Sequence, residues 1–354
     1  MSAAAENGRD PVRVLVIDDS PSMRAAITRI LAADPQIEVL GAAPEPYAAR
    51  EMIKALNPDV VTLDIEMPGM DGLSFLEKIM RLRPMPVVMC STLTARGTEA
   101  TIEALRLGAV DCIAKPSGNA ADLARDADRL RSVVKSAARS SVRARPAAIA
   151  PVASAAIQPG GGTIIAIGAS TGGVEALFSL LGALPADCPP VLVVQHMPRG
   201  FTAGFAQHLA RTTRVRVVEA TNGMPVEAGT VYIAPGGDSH MELVAGAPAR
   251  IRLVSGDTVS GHRPSVDRLF HSVARVGAKA VGVILTGMGA DGAEGLLAMR
   301  GTGARTLGQN EASCVVYGMP RQAFQMGAVE KEMSLSVMPE AILAACRGQA
   351  RVGA

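Results

Sequence analysis

The stretch TIIAIGASTGG, residues 163–173, decides how the second half of this chain reads. TIIAI has the make-up of a strand, and Gly-Ala-Ser-Thr-Gly-Gly that of the turn that ends it and opens a helix. A strand running into Gly, small residue, Ser, small residue, Gly also has the composition of a nucleophile elbow, which presents a serine hydroxyl at a helix N-terminus. The same residues are ordinary strand-to-helix turn chemistry, in which Ser170 would be a helix cap. What else reaches the same edge separates the two readings.

Apolar runs recur at 191–194 (VLVV), 215–218 (VRVV), 231–233 (VYI) and 281–286 (VGVILT), with helical segments between many of them. That alternation predicts an α/β unit, whose chemistry gathers beyond the carboxyl ends of its strands. Ser170 follows the first run, His196 follows VLVVQ, and Asp291 lies in GMGADG just after VGVILT. Together they form the inventory of a triad: nucleophile, general base and orienting carboxylate. The order Ser, His, Asp departs from that of α/β-hydrolases, so the GxSxG match does not imply that fold.

His208, His240, His262 and His271 are rival bases. His208 sits in the amphipathic FTAGFAQHLAR; His240, in the Gly-rich IAPGGDSHMEL beyond a short strand, ranks next after His196. GMGADG also satisfies GxGxxG, with Glu311 about twenty residues on, as a dinucleotide fingerprint would. Asp291 inside that loop would set a carboxylate beside a pyrophosphate, and a dinucleotide site leaves Ser170 and His196 unexplained.

The 354 residues suit two domains. Apolar content is 48% but aromatics are 3% with no Trp, so the cores must rely on aliphatic side chains and the 17 Met. MSAAAENGRDP has no secretory h-region and no run is long enough to span a bilayer, which predicts a cytoplasmic protein. Five scattered cysteines without CxxC spacing indicate reduced core thiols. A net charge of +2 provides no global field for nucleic acid, and the basic segment from Arg131 to Arg145 reads as a solvated linker face.

Upstream, strand-like runs at 12–17 (VRVLVI), 59–63 (DVVTL), 86–90 (PVVMC) and 109–113 (AVDCI) again alternate with helical stretches. Asp18 and Asp19, Asp64, Ser91 and Lys115 each fall at or just past the end of one run. Clustered carboxylates repel unless a hard cation binds, so the set reads as a Mg²⁺ site in which Asp64 accepts a phosphoryl group. Ser91 and Lys115 would meet the new phosphate oxygens. Acidic helix caps would account for DDSPSM but not for Lys115 before Pro116.

Two resemblances follow. VLVIDDS, LDIEMPGMDG, MCSTLT and AKPSG resemble the receiver domain of two-component response regulators. That implies a flavodoxin-like doubly wound sheet, phosphorylation at Asp64 by a histidine kinase, and Mg²⁺ held by Asp19, Asp64 and the carbonyl of Glu66 beside Asp18. The position three before Lys115, often a switching aromatic, is Cys112. GASTGG, QHMPRGFT, IAPGGDSHMEL, HRPSVDRLF, LTGMGADG and NEASCVVYGMP closely resemble the catalytic domain of the chemotaxis protein-glutamate methylesterase family.

The second resemblance implies a doubly wound, mainly parallel α/β domain with Ser170, His196 and Asp291 as the triad. It also implies an oxyanion site bordered by the backbone near Thr171 and Met288, and no catalytic role for His240. The implied activity is hydrolysis of glutamate methyl esters on chemoreceptors, with deamidation of receptor glutamines, no cofactor for the ester chemistry and no membrane insertion. It further implies that the unphosphorylated receiver obstructs the receptor's approach to Ser170. The expected organisation is a disordered stretch at 1–10, a receiver at 11–130, a flexible linker at 131–162 and a catalytic domain at 163–350. The alternative is a response regulator whose second domain only binds a nucleotide or a partner.

Overall fold

The computed structural model describes residues 10–67, 69–91, 94–115, 120–140, 149–152 and 162–349, and the chain divides into two compact units. The first is built on β1 (Val12–Ile17), β2 (Ile37–Ala43), β3 (Val60–Asp64), β4 (Val87–Ser91) and β5 (Asp111–Ala114). All pair in parallel, in the order β2-β1-β3-β4-β5. Its helices are α1 (Pro21–Ala32), α2 (Pro46–Leu56) and α3 (Gly72–Leu82), with α5 (Ala120–Ala138) after β5; α4 (Ala95–Arg106), between β4 and β5 in the chain, groups with the second unit. β3 and β4 are buried at every position, as parallel strands covered on both faces are.

The expectation of a linker from residue 131 is corrected here. Helix α5 continues to Ala138 with Val133, Val134 and Ala137 buried. Its basic side chains are tied down too: Lys135 Nζ reaches Asp34 Oδ2 at 2.7 Å, and Arg131 donates to the Ile30 carbonyl. Ala, Arg and Lys in this stretch favour helix, and that propensity outweighs their resemblance to linker composition. Beyond it, Val152 N donates to Ala183 O at 3.0 Å. Residues 141–148 and 153–161 of the expected linker, and 1–9 of the expected disordered stretch, lie outside the described residues.

The second unit is a seven-stranded parallel sheet. Its chain order is β6 (Ile164–Ala169), α6 (Gly173–Ala183), β7 (Val191–Gln195), α7 (Phe201–Thr212), β8 (Arg216–Glu219) and β9 (Thr230–Ile233). An antiparallel hairpin follows, β10 (Ser239–Val244) and β11 (Arg250–Ser255), then α8 (Val266–Ala274), β12 (Ala280–Ile284) and α9 (Ala293–Gly301). The unit closes with β13 (Arg305–Gln309), α10 (Met319–Gln325), β14 (Lys331–Met333) and α11 (Met338–Gln349).

The strands run β14-β13-β12-β6-β7-β9-β8 across the sheet. On one face Met241, Leu243 and Ile251 of the hairpin join Phe270 of α8 and Leu296 of α9 over Ile164, Ala166, Leu192 and Val194. Gly168 permits that packing, since a Cβ there would lie 2.2 Å from Val266 Cγ1. Both sheets change winding direction at their first strand, between β1 and β3 in one and between β6 and β12 in the other. Crevices open beyond the carboxyl ends at such switch points.

Candidate active site

Ser170 follows β6 directly, His196 follows β7, and Asp291 lies in the loop after β12, three adjacent strands of one sheet. The turn after β6 settles Ser170's structural role. The N-cap of α6 is Gly172, at φ 75°, with no side-chain cap, and the Ser170 contribution is its carbonyl, which accepts from Gly173 N at 2.7 Å. Ser170 is therefore not a helix cap. Nor is it in the left-handed region, where the non-glycine residues among those described are Asn57 and Ser260. Its main chain is pinned instead: Ser170 N donates to Thr286 O, and Gln195 Nε2 donates to Ser170 O at 2.9 Å. Gly287 lies so close that a Cβ on it would come 2.8 Å from Ser170 Cβ.

His196 Nε2 lies 2.8 Å from Asp291 Oδ2. The same carboxylate receives Val266 N at 2.8 Å on Oδ2, and Ser265 Oγ at 2.8 Å and Asp267 N at 3.0 Å on Oδ1. Ser265 is the N-cap of α8, so Asp291 occupies that helix's N-terminus, where backbone donors and the dipole favour an anion. Burial opposes the charge, yet His196 and these donors outweigh it and hold the carboxyl down at about 2. An ionised carboxylate only accepts, so Nε2 carries the proton and Nδ1 of the neutral ring presents its lone pair. Nδ1 is buried and has no hydrogen-bond partner. It is the nitrogen available to take a proton.

His240 is structural. Its Nδ1 accepts from Ser265 N at 3.1 Å and its Nε2 donates to Asp257 O at 2.8 Å, so both ring nitrogens are used, one on the start of α8 and one on the loop after β11. His208 packs edge-on against Phe178, and His271 is exposed on α8. His262 lies flat on His196. Thr171 is buried in the turn after β6, its carbonyl accepting from Thr286 Oγ1 at 3.0 Å, and Met288 is half-buried in the loop that carries Asp291. GMGADG turns its carboxylate inward to His196 and α8, an arrangement that leaves the dinucleotide reading unsupported. The sequence assigns no site role to Ser265 or Gln195 and offers His262 only as a rival base; the serine before VDRLF is a helix-start signal, but nothing local says that it also touches Asp291.

In the first unit, Asp18 and Asp19 follow β1, Asp64 ends β3, Ser91 ends β4 and Lys115 follows β5. Lys115 Nζ lies 2.9 Å from Asp18 Oδ2 and 2.7 Å from Asp64 Oδ2, and Lys115 N donates to Ser91 O. Burial works against the ammonium, but the two carboxylates outweigh it and hold Lys115 above its ordinary range. Glu66 contributes its N–H to Asp64 Oδ1 at 3.3 Å. Carboxylate oxygens of Asp18, Asp19 and Asp64 lie within 4.8 Å of one another. Three hard oxygen donors against one lysine fit a divalent cation such as Mg²⁺. Cys112 is buried, and all five cysteines are free thiols.

A parallel α/β unit that brings Ser, His and Asp to the strand ends around its switch point has the make-up of a serine hydrolase, and the same chain carries a second parallel α/β unit with an acidic pocket. Comparison with known proteins sharpens this. The CheB methylesterase family model matches residues 165–342, and the response regulator receiver domain model matches residues 14–126. A Caulobacter vibrioides protein named protein-glutamate methylesterase/protein-glutamine glutaminase 1 is 60% identical over 339 residues, 94% of this chain and 97% of that one. A Rhizobium etli protein of the corresponding name is 55% identical over 336 residues, 94% of this chain and 96% of its own. The crystal structure of the Thermotoga maritima CheB methylesterase catalytic domain matches with a TM-score of 0.50 at 37% identity, covering 52% of this chain and 98% of that one. The chain belongs to the CheB methylesterase family, with an N-terminal response regulator receiver domain.

Proposed function

We propose that this protein hydrolyses glutamate methyl esters on chemoreceptors, releasing methanol, and deamidates receptor glutamines, under the control of phosphoryl transfer to Asp64. The carrying observation is the hydrogen-bonded Asp291–His196 pair, whose residues follow the two strands that flank the one ending just before Ser170. His196 Nδ1 takes the proton of Ser170 Oγ as the oxygen attacks the ester carbonyl, and Asp291 stabilises the imidazolium. Backbone N–H groups near Thr171 and Met288 would receive the oxyanion, each such donor being worth about 10²–10³ in turnover. The imidazolium then protonates departing methoxide, and water, deprotonated by His196, releases the carboxylate and restores Ser170. With a glutamine, ammonia leaves in place of methanol and the rest of the cycle is unchanged.

At the receiver, Asp18, Asp19 and Asp64 with the Glu66 carbonyl would hold Mg²⁺, which would screen the acceptor carboxylate from the incoming phosphoryl group. Ser91 and Lys115 would bind the transferred oxygens, and a histidine kinase is the donor. The enzyme works in the cytoplasm on the cytoplasmic part of its receptors; among the described residues no helix is long and apolar enough to cross a membrane. The test is methanol release from methylated receptor membranes, with and without a small-molecule phosphodonor. Release by wild type and none by Ser170→Ala supports the reading; equal release by both, or none by phosphorylated wild type, overturns it.

A further inference from the structure

His262 takes no part in the chemistry above, yet its ring lies parallel to that of His196, with centroids 3.7 Å apart and planes 6° from coincidence. The segment that presents it is built rather than loose. Val259 N donates to His262 O at 3.0 Å and His262 N to Val259 O at 2.9 Å. Between them Ser260 and Gly261 both have positive φ, 51° and 78°, as in a two-residue type I′ turn. Ser260 is one of two non-glycine residues in that region among those described, a conformation held by its surroundings. Arg263 Nε then donates to Gly237 O at 2.8 Å, and Ser265 reaches Asp291. Within four residues the chain lays a ring on the base and a hydroxyl on its carboxylate.

The His196 ring needs such support. Its one side-chain hydrogen bond, from Nε2 to Asp291, fixes a point on the ring but leaves it free to roll about that point, and Nδ1 has no partner to stop it. A parallel ring against its face removes that freedom. An aromatic face also attracts a cation, so the contact strengthens as His196 becomes an imidazolium in the transition state.

We propose that His262 is a positioning residue for acyl transfer: stacked on His196, it holds Nδ1 towards Ser170 and favours the imidazolium formed there. This rests on the esterase reading, and the controls keep the two apart. Loss of methanol release in Ser170→Ala and His196→Ala establishes the reading independently of His262. Against that background His262→Ala should lower kcat about 10- to 100-fold, the scale of a small misplacement of a reacting group, with KM within about twofold. His262→Phe, which restores a flat face, should recover most of the loss, whereas His262→Leu, of similar bulk without one, should not. Melting temperatures check that each variant is folded. Wild-type kcat in folded His262→Ala overturns the proposal. Should the alanine variant not fold, the other pair decides: Phe above Leu by about tenfold in kcat supports it, and equal values overturn it.

Discussion

Four donors converge on Asp291, one from His196 and three from the first turn of α8, and together they set both its charge and its aim. Asp291→Asn replaces an acceptor by an amide that favours the wrong imidazole tautomer, so methanol release should fall by roughly 10²- to 10⁴-fold with Ser170 still in place. His196→Ala should match Ser170→Ala; near-normal turnover in Asp291→Asn would require another carboxylate. Because the carboxyl is depressed to about 2 from an ordinary 3.8, Asp291 stabilises the fold fully above the ordinary carboxylate range and loses that contribution as pH falls towards 2. Denaturant midpoints should therefore converge for wild type and Asp291→Asn on acidification. A gap that widens below about pH 4 would contradict the depressed value.

At the scale of elements, α8 acts as an anchor whose N-cap serves the site. Ser265→Ala removes the cap bond to Arg268 N and the hydroxyl donor to Asp291. Stability should drop by about 1 kcal/mol in denaturant melts, with methanol release reduced as well; unchanged turnover would mean that the first turn of α8 does not aim Asp291. Here the reach of the sequence shows its limits. Runs such as VRVLVI and VLVV stood out because strands covered on both faces are apolar throughout, and they placed Ser170, His196, Asp291 and Asp64 correctly at strand ends. β2, β13 and β14 did not stand out: β2 is an edge strand with exposed positions, β14 is three residues long, and RTLGQ of β13 carries polar residues at both ends. His262 and Ser265 come from HRPSVDRLF, which has little period of its own, and they reach the site only through tertiary packing.

For the whole molecule, the expected regulation is phosphoryl transfer in one unit altering catalysis in the other. Labelling by a phosphodonor should require Mg²⁺ and be absent from Asp64→Ala; label that persists in that variant, or in excess chelator, would exclude Asp64 as the sole acceptor. A truncated chain beginning near Gly160 is expected to release methanol faster than the unphosphorylated full chain and to ignore phosphodonor. Joined domains need only a weak restraint, altered by roughly 1–3 kcal/mol, to change activity several-fold or more. Equal rates at matched concentration would point to a receiver that activates or targets rather than restrains. The order of the strands carries a consequence for a chain still being made. Ser170 and His196 leave the ribosome first, whereas Asp291 follows 95 residues after His196, on the loop behind a strand that must slot in beside β6. On the roles proposed above, a nascent chain thus stays without its orienting carboxylate until the middle of the sheet is closed, and should hydrolyse esters poorly before it has folded.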